Sequence, residues 1–327
     1  MWTYTNPVKI RFGAGSFQAL ASAIEGRRYA VVTYPDEGFR RLVAGLAENA
    51  GDPALVIDDV APNPDLKLLG SQCGRFAELD RPVELIVAVG GGSVLDSAKV
   101  FALAAGDFDR VRTCLEAGQP CTTEVIAMIA VPTTAGTGSE VTCWATVWDN
   151  AAGKKYSLSR PALYAETAIV DPELMIGKPR ALTVSTGLDA LSHALESIWN
   201  VNANPVSARF AVAAAREILD CLPRLIEDLE NLDLRTRMAE AALFAGLAFS
   251  NTKTAIAHNL SYPITLDYDV PHGIACSFTL PVVLESVADL TGFRGSALRA
   301  IHGEDLSAGA RSLKSWMVSL GVATGVE

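Results

Sequence analysis

Four histidines occur in the chain, His193, His258, His272 and His302, few enough to weigh one by one. In Ser185–Trp199 (STGLDALSHALESIW), Asp189 and His193 stand four apart on a predicted helix. That spacing stacks a carboxylate and an imidazole on one face, a turn apart, where they either chelate one divalent ion or simply hydrogen-bond to each other. His258 (TAIAHNLSYP) and His272 (DVPHGIACS) add two imidazoles, the second in a Pro-His-Gly loop that fixes its backbone direction. Three histidines and one aspartate complete a four-coordinate set for a borderline cation such as Fe²⁺ or Zn²⁺. Three neutral imidazoles and one carboxylate leave such an ion net positive, which suits it to act as a Lewis acid. His302, in AIHGED, has no companion of this kind and reads as a surface residue.

Two glycine-bearing turns follow predicted strands. Gly90-Gly91-Gly92-Ser93 comes after LIVAV and opens a helix that carries Asp96 and Lys99. Bare backbone at a strand end beside a helix N-terminus offers N–H donors to a pyrophosphate, although a tight turn needs the same glycines and the sequence is not GxGxxG. The second turn, Pro132–Glu140 (PTTAGTGSE), follows VIAMIAV and supplies hydroxyls and small residues. Loops on neighbouring strands are expected to face one crevice. Gly13-Ala14-Gly15 has no strong apolar strand before it and reads as a turn.

The elements that position these residues change character along the chain. YAVVTY (29–34), ALVI (54–57), LIVAV (85–89) and VIAMIAV (125–131) are near-continuous apolar runs separated by helix-sized segments, as a parallel sheet covered on both faces requires. A last strand ends at Asp171-Pro172, in a border region over residues 168–178. Beyond about Leu182 strand signals fade, and helical periodicity takes over at 208–225 and 236–248. At 327 residues, 50% hydrophobic and 20% charged, the chain has the material for two domains. No apolar run approaches the roughly 18 residues of a membrane span. Lys plus Arg number 27 against 37 Asp plus Glu, a net charge of −10 without a basic patch, which argues against nucleic acid. Cys73, Cys114, Cys121, Cys143, Cys221 and Cys276 form no CxxC pair and read as reduced, buried small hydrophobes. With no leader pattern in MWTYTNPVKI, a cytoplasmic location is expected.

Taken together, GGGSVLDSAK, PTTAGTGSE, STGLDALSHALE and the His258-to-His272 block resemble the iron-containing (group III) alcohol dehydrogenase family, in order along nearly the whole chain. The resemblance implies an N-terminal Rossmann-like α/β parallel-sheet domain (1–177) and an all-α, metal-binding C-terminal domain (178–327), in a dehydroquinate synthase-like architecture with the catalytic cleft between them. It implies NAD or NADP as cosubstrate, with Fe²⁺ or Zn²⁺ held by Asp189, His193, His258 and His272. Gly91, Gly92 and Ser93 would hold the pyrophosphate, with Asp96, Thr133, Thr134 and Thr142 nearby and Lys155 near the nicotinamide ribose.

Three departures from the family pattern stand out. Where many members have a second histidine four residues after the third ligand, this chain has Tyr262, a candidate for proton delivery or for packing. Where many NAD-preferring members have an acidic residue after the first cofactor strand, it has Tyr34, so NADPH is admissible. The final residues, GVATGVE, fall short of the family's usual last helices, so a shortened helical domain is expected. HNLSYP…VPHGIACSFTLP is most similar to a branch associated with phosphonate metabolism, whose reaction is reduction of phosphonoacetaldehyde to 2-hydroxyethylphosphonate. A general aliphatic alcohol dehydrogenase or a maleylacetate reductase-like enzyme is the alternative within the class. A dehydroquinate synthase-like lyase and an inactive binding protein are the alternatives outside it. The expected partners are a small aldehyde or alcohol and a second copy of the chain in a dimer, with neither nucleic acid nor membrane.

Overall fold

The computed structural model describes residues 1–117, 124–268 and 270–322. Its strands are β1 (Lys9–Phe12), β2 (Tyr29–Val32), β3 (Leu55–Ile57), β4 (Leu85–Gly90), β5 (Ala127–Pro132), β6 (Trp144–Asp149), β7 (Lys154–Ser159) and β8 (Thr167–Val170). Six of them pair in parallel in the order β1-β8-β5-β4-β2-β3, while β6 and β7 form an antiparallel ladder. The apolar runs behave as expected: β2 and β4 are buried at every position, which only a sheet covered on both faces allows. The chain leaves β2 for the edge strand β3 and then returns to β4 on the other side of β2, so the order reverses between β2 and β4. In an open α/β sheet that reversal is where ligands gather, at the strands' carboxyl ends.

The helices of this part are α1 (Leu20–Ile24), α2 (Glu37–Ala50), α3 (Leu66–Ala77), α4 (Gly92–Ala104) and α5 (Phe108–Ala117). α4 is buried nearly all round because it packs against α3, α5 and several strands. The Gly13–Gly15 turn follows a strand, but not a strongly apolar one. β1 escapes sequence detection because KIRF is a short, largely exposed edge strand carrying two charges. Its turn is nonetheless no anion loop: the buried Asp171 carboxylate accepts from Gly15 N–H at 3.2 Å and Phe17 N–H at 2.9 Å.

The second part is helical: α6 (Arg180–Trp199), α7 (Pro205–Leu225), α8 (Leu232–Thr252), α9 (Ile256–Tyr268), α10 (His272–Ser277), α11 (Leu280–Ser286), α12 (Gly292–His302) and α13 (Leu306–Ser319). α6 is its buried centre, packed against α7, α8 and α10. Asn204 opens α7 with a reciprocal capping box to Ser207, and Asn231 caps α8 through Leu234 N–H. None of the described helices is long and apolar enough to cross a membrane.

The chain divides into an α/β unit, Pro7–Thr133 with Ser139–Leu174, and a helical unit, Met1–Asn6 and Thr134–Gly138 with Met175–Glu327. The first residues join the helices through hydrogen bonds from Tyr4 Oη to the Leu247 carbonyl, from Thr5 N–H to Asn251 and from Asn6 to Ser250. Thr134–Gly138 joins them by close approach: a Cβ on Gly136 would lie 2.7 Å from Thr186 Cβ, and one on Gly138, at φ +59°, 2.5 Å from Gly246 Cα. The two glycines of PTTAGTGSE are thus required by helix packing.

Two single-residue expectations are corrected. Cys114 is disulfide-bonded, whereas Cys73, Cys143, Cys221 and Cys276 are free thiols; Cys121 lies outside the described residues. Spacing along a sequence cannot show which cysteines the fold brings within bonding distance. His302 is not a surface residue: it ends α12 against α13, where a Cβ on Gly309 would meet His302 Cβ at 2.6 Å, and its buried Nε2 has no hydrogen-bond partner. Burial pushes its pKa down to about 4 from the ordinary 6.5, so the neutral ring is native. Between those values the unfolded chain binds the extra proton, and stability falls as pH drops from about 6.5 toward 4. His302→Leu is expected to flatten that part of a urea-unfolding profile; an unchanged pH slope would show that the loss arises elsewhere.

Candidate metal centre and dinucleotide loop

The helical unit gathers the residues singled out by type. α6 presents Asp189, His193 and Glu196 at i, i+4 and i+7, one buried face of a helix. α9 contributes His258, and α10 contributes His272 and, one turn later, Cys276. One ligand atom each from Asp189, His258, His272 and Cys276 lies within 4.8 Å of all the others. His258 Nε2 is 3.5 Å from Asp189 Oδ1, and Cys276 Sγ is 3.4 Å from His272 Nε2. His193 stands beside this group: its Nε2 is 3.7 Å from Asp189 Oδ1, and its ring stacks between Phe249 (centroids 4.0 Å apart) and His258 (4.6 Å). Tyr262 lies near-parallel to His272, centroids 6.4 Å apart.

Glu196 orders the group. Its Oε2 is 2.5 Å from His258 Nδ1, and its Oε1 accepts from Ala257 N–H at 2.6 Å. With its Nδ1 proton held by Glu196, His258 turns Nε2 toward Asp189, and loss of the Nε2 proton would free a lone pair there for a metal, the carboxylate–histidine arrangement that orients an imidazole ligand. Asp189 Oδ1, His193 Nδ1 and His258 Nε2 are buried without hydrogen-bond partners. Leaving such atoms bare costs about 1–3 kcal/mol each, and a divalent cation is a group that the donors of Asp189, His258 and His272, which do converge, would fit.

Charges inside the cluster oppose burial. Burial alone would raise the Asp189 carboxyl, but His193, His258 and His272 outweigh it and hold it well below the ordinary carboxylate range. Burial lowers His193 to about 4. It also works against a charged His258, yet Cys276, Asp189 and Glu196 keep that imidazole well above its usual value. Glu196 was legible in principle, as a third titratable residue on the Asp189–His193 face; Cys276 gave no signal, since a buried cysteine reads as an apolar residue.

In the α/β unit, α4 begins at Gly92 with Gly91 as N-cap and no side-chain cap, which keeps its first N–H groups available to an anion. Gly90 has no room for a side chain: a Cβ would lie 2.5 Å from Val94 Cγ2. Burial raises the pKa of Tyr34, just past β2, while Ser93 acts against it, so the two lie near each other where the strand order reverses. The other residues are placed differently. Asp96 accepts from Ser139 Oγ at 2.7 Å and from Thr146 N–H at 2.8 Å. Thr142, with the Ser139 and Trp144 carbonyls and Ser139 Oγ, accepts from the fully buried Lys99 ammonium at 2.7–3.2 Å. A buried ammonium is tolerated only with such partners, and burial still pulls Lys99 down to about 8. Asp96 and Thr142 therefore tie α4 to the segment entering β6. Thr133 is buried and donates its N–H to the Gly90 carbonyl at 3.0 Å; Thr134 lines a small cavity in the helical unit with Thr183, Thr186 and Arg235. Lys155 on β7 lies with its Nζ 5.8 Å from the centre of the Trp148 ring.

Comparison with known proteins covers both units. Residues 7–172 match the family model for iron-containing alcohol dehydrogenase, and residues 183–324 match that for the C-terminal part of the Fe-containing alcohol dehydrogenase family. The chain is 38% identical over 200 residues to NAD-dependent methanol dehydrogenase of Bacillus methanolicus, covering 61% of this chain and 52% of that protein. It is 36% identical over 235 residues to phosphonoacetaldehyde reductase of Streptomyces viridochromogenes, covering 70% and 58%. The crystal structure of sulfoacetaldehyde reductase from Bifidobacterium kashiwanohense in complex with NAD⁺ superimposes with a TM-score of 0.91 at 33% identity, over 99% of this chain and 87% of that one. The matches thus span little more than half the length of the first two relatives.

Proposed function

The chain belongs to the iron-containing alcohol dehydrogenase family, and from that premise we propose that it is a metal-dependent, NAD(P)H-linked alcohol dehydrogenase acting as an aldehyde reductase. The observation that carries this reading is the convergence of buried donor atoms from α6, α9 and α10, with Asp189 Oδ1 and His258 Nε2 lacking hydrogen-bond partners beside His272, and His193 stacked against the group. Asp189, His193, His258 and His272 are the residues we assign to a divalent cation, Fe²⁺ or Zn²⁺. Gly91, Gly92, Ser93 and Tyr34 are those we assign to the dinucleotide. When bound, the cation supplies Lewis acidity at a carbonyl oxygen and the nicotinamide supplies hydride. Glu196 orients His258 through Nδ1, and the Phe249 ring stacked on His193 excludes water from that side. Tyr262, half-buried next to His272, is our candidate to hold the proton destined for the product oxygen. Tyr34 carries no charge to repel a 2′-phosphate, so both NADH and NADPH are expected to serve.

The substrate we favour is phosphonoacetaldehyde, reduced to 2-hydroxyethylphosphonate. Similarity to reductases named for phosphonoacetaldehyde and sulfoacetaldehyde, both aldehydes with an anionic head, supports it. The test is oxidation of NADH and NADPH by Fe²⁺- and Zn²⁺-loaded protein with phosphonoacetaldehyde and with plain aliphatic aldehydes. A kcat/KM at least about tenfold higher for the phosphonate, some 1.4 kcal/mol in the transition state, is expected. Equal rates would leave a general alcohol dehydrogenase, and no cofactor oxidation with any aldehyde would overturn the assignment. In the same assay Tyr262→Phe is expected to lose about 100-fold in kcat and to change its pH profile; an unaltered profile would reduce Tyr262 to packing.

A further inference from the structure

We propose that Cys276 supplies a thiolate donor to the divalent cation, so that the site contains a soft ligand beside its carboxylate and imidazoles. This rests on the cation site of the proposed function and concerns what that site prefers to bind. Cys276 is fully buried on α10, four residues after His272 and so on the same helix face. Its sulfur lies 3.4 Å from His272 Nε2, and within the same group His258 Nε2 lies 3.5 Å from Asp189 Oδ1. Ligands at about 2.0–2.3 Å from a tetrahedral ion are about 3.3–3.8 Å from one another, so both edges already have the length that a shared ion imposes.

The second observation is independent of the cysteine. Asp189 Oδ1 and His258 Nε2 are buried, partnerless and directed into the same 4.8 Å group that contains the sulfur. The sulfur stands in that group with them, within contact distance of the His272 imidazole. Close packing of α10 on α6 brings it in: a Cβ on Gly273 would lie 1.9 Å from the Ser185 carbonyl oxygen. A thiolate shifts preference toward Zn²⁺ and Co²⁺ and away from Fe²⁺, relative to a site of oxygen and imidazole donors alone.

Cobalt is the probe, because Co²⁺ reports its donors without any turnover. The full chain loaded with Co²⁺ is expected to show visible ligand-field bands together with a near-ultraviolet thiolate-to-cobalt charge-transfer band. Cys276→Ser is expected to keep the visible bands, lose the charge-transfer band and lower the preference for Zn²⁺ over Fe²⁺ in competition by at least about tenfold. Cys276→Ala, with the far-ultraviolet circular dichroism of both variants, separates loss of a ligand from loss of fold. Visible bands with no charge-transfer band in the unaltered chain would overturn the thiolate assignment and leave the cation site standing. Failure to take up cobalt at all would overturn the cation site itself and this proposal with it.

Discussion

Asp189→Ala is expected to leave the protein folded but without bound metal, and to lower aldehyde-dependent NAD(P)H oxidation by well over 100-fold. The magnitude follows from position. Loss of a residue that merely orients a ligand costs about 10–100-fold in metal affinity or activity, and Asp189 supplies the carboxylate of the donor group itself. Its Oδ1 lies 3.5 Å from His258 and 3.7 Å from His193, so circular dichroism must show that the variant is folded before its metal content is read. Removing it also leaves His193 and His258, 4.6 Å apart, without the anion between them and a dication, which raises the repulsion any incoming metal meets. Glu196→Gln is the graded comparison: it keeps the shape around His258 but weakens the anchor on Nδ1, and belongs in the 10–100-fold range. Metal content by atomic absorption, circular dichroism and turnover on the same preparations decide the matter. Full metal occupancy together with normal turnover in Asp189→Ala would refute the ligand assignment.

Legibility of the chain followed the physical signal each residue leaves. β2, β4 and β5 were readable because strands buried on both faces must be apolar throughout. β1 and β7 were not, because an edge strand (KIRF) and one arm of a two-stranded ladder (KKYSLS) carry charges and hydroxyls that resemble a loop. The four residues proposed to hold the metal stood out by chemical type, since three histidines and an aspartate are rare enough to compare singly. Cys276 and Glu196 became visible only in three dimensions, where α6, α9 and α10 bring residues up to 87 positions apart into one 4.8 Å group or beside it. The glycine motifs carry more than one signal. GGGSVLDSAK and PTTAGTGSE read as strand-end turns suited to a cofactor or simply to a tight turn, and in the fold Asp96 and Lys99 also make internal contacts of the α/β unit, while Gly136 and Gly138 also serve helix packing. Backbone donors at a helix start and polar residues that brace the same helix have similar compositions, and only the direction of each side chain tells them apart.

Gly273→Ala is expected to be the most disruptive single-methyl change in the site. The added Cβ would lie 1.9 Å from the Ser185 carbonyl oxygen and 3.0 Å from Asp189 Cβ. That oxygen is backbone within α6, the buried central helix of its unit, and cannot swing aside as a side chain would. Relief requires α10 to retreat by more than an ångström, carrying His272 and Cys276 with it. Overpacking of a tight interior costs about 1–3 kcal/mol and occasionally more, and contact with a fixed carbonyl belongs at the upper end. A fall of several degrees in Tm and weakened metal retention against a chelator should therefore appear together. Gly74→Ala provides the contrast: Gly74 is exposed within α3, and a Cβ there would meet nothing within 4 Å. Removing the backbone freedom of a glycine in mid-helix is worth about 0.5–1 kcal/mol in favour of the fold. Opposite signs from the same chemical substitution would tie the Gly273 effect to the α6–α10 approach. If Gly273→Ala matched Gly74→Ala in Tm and kept its metal, the packing that places His272 and Cys276 beside Asp189 would have to be abandoned.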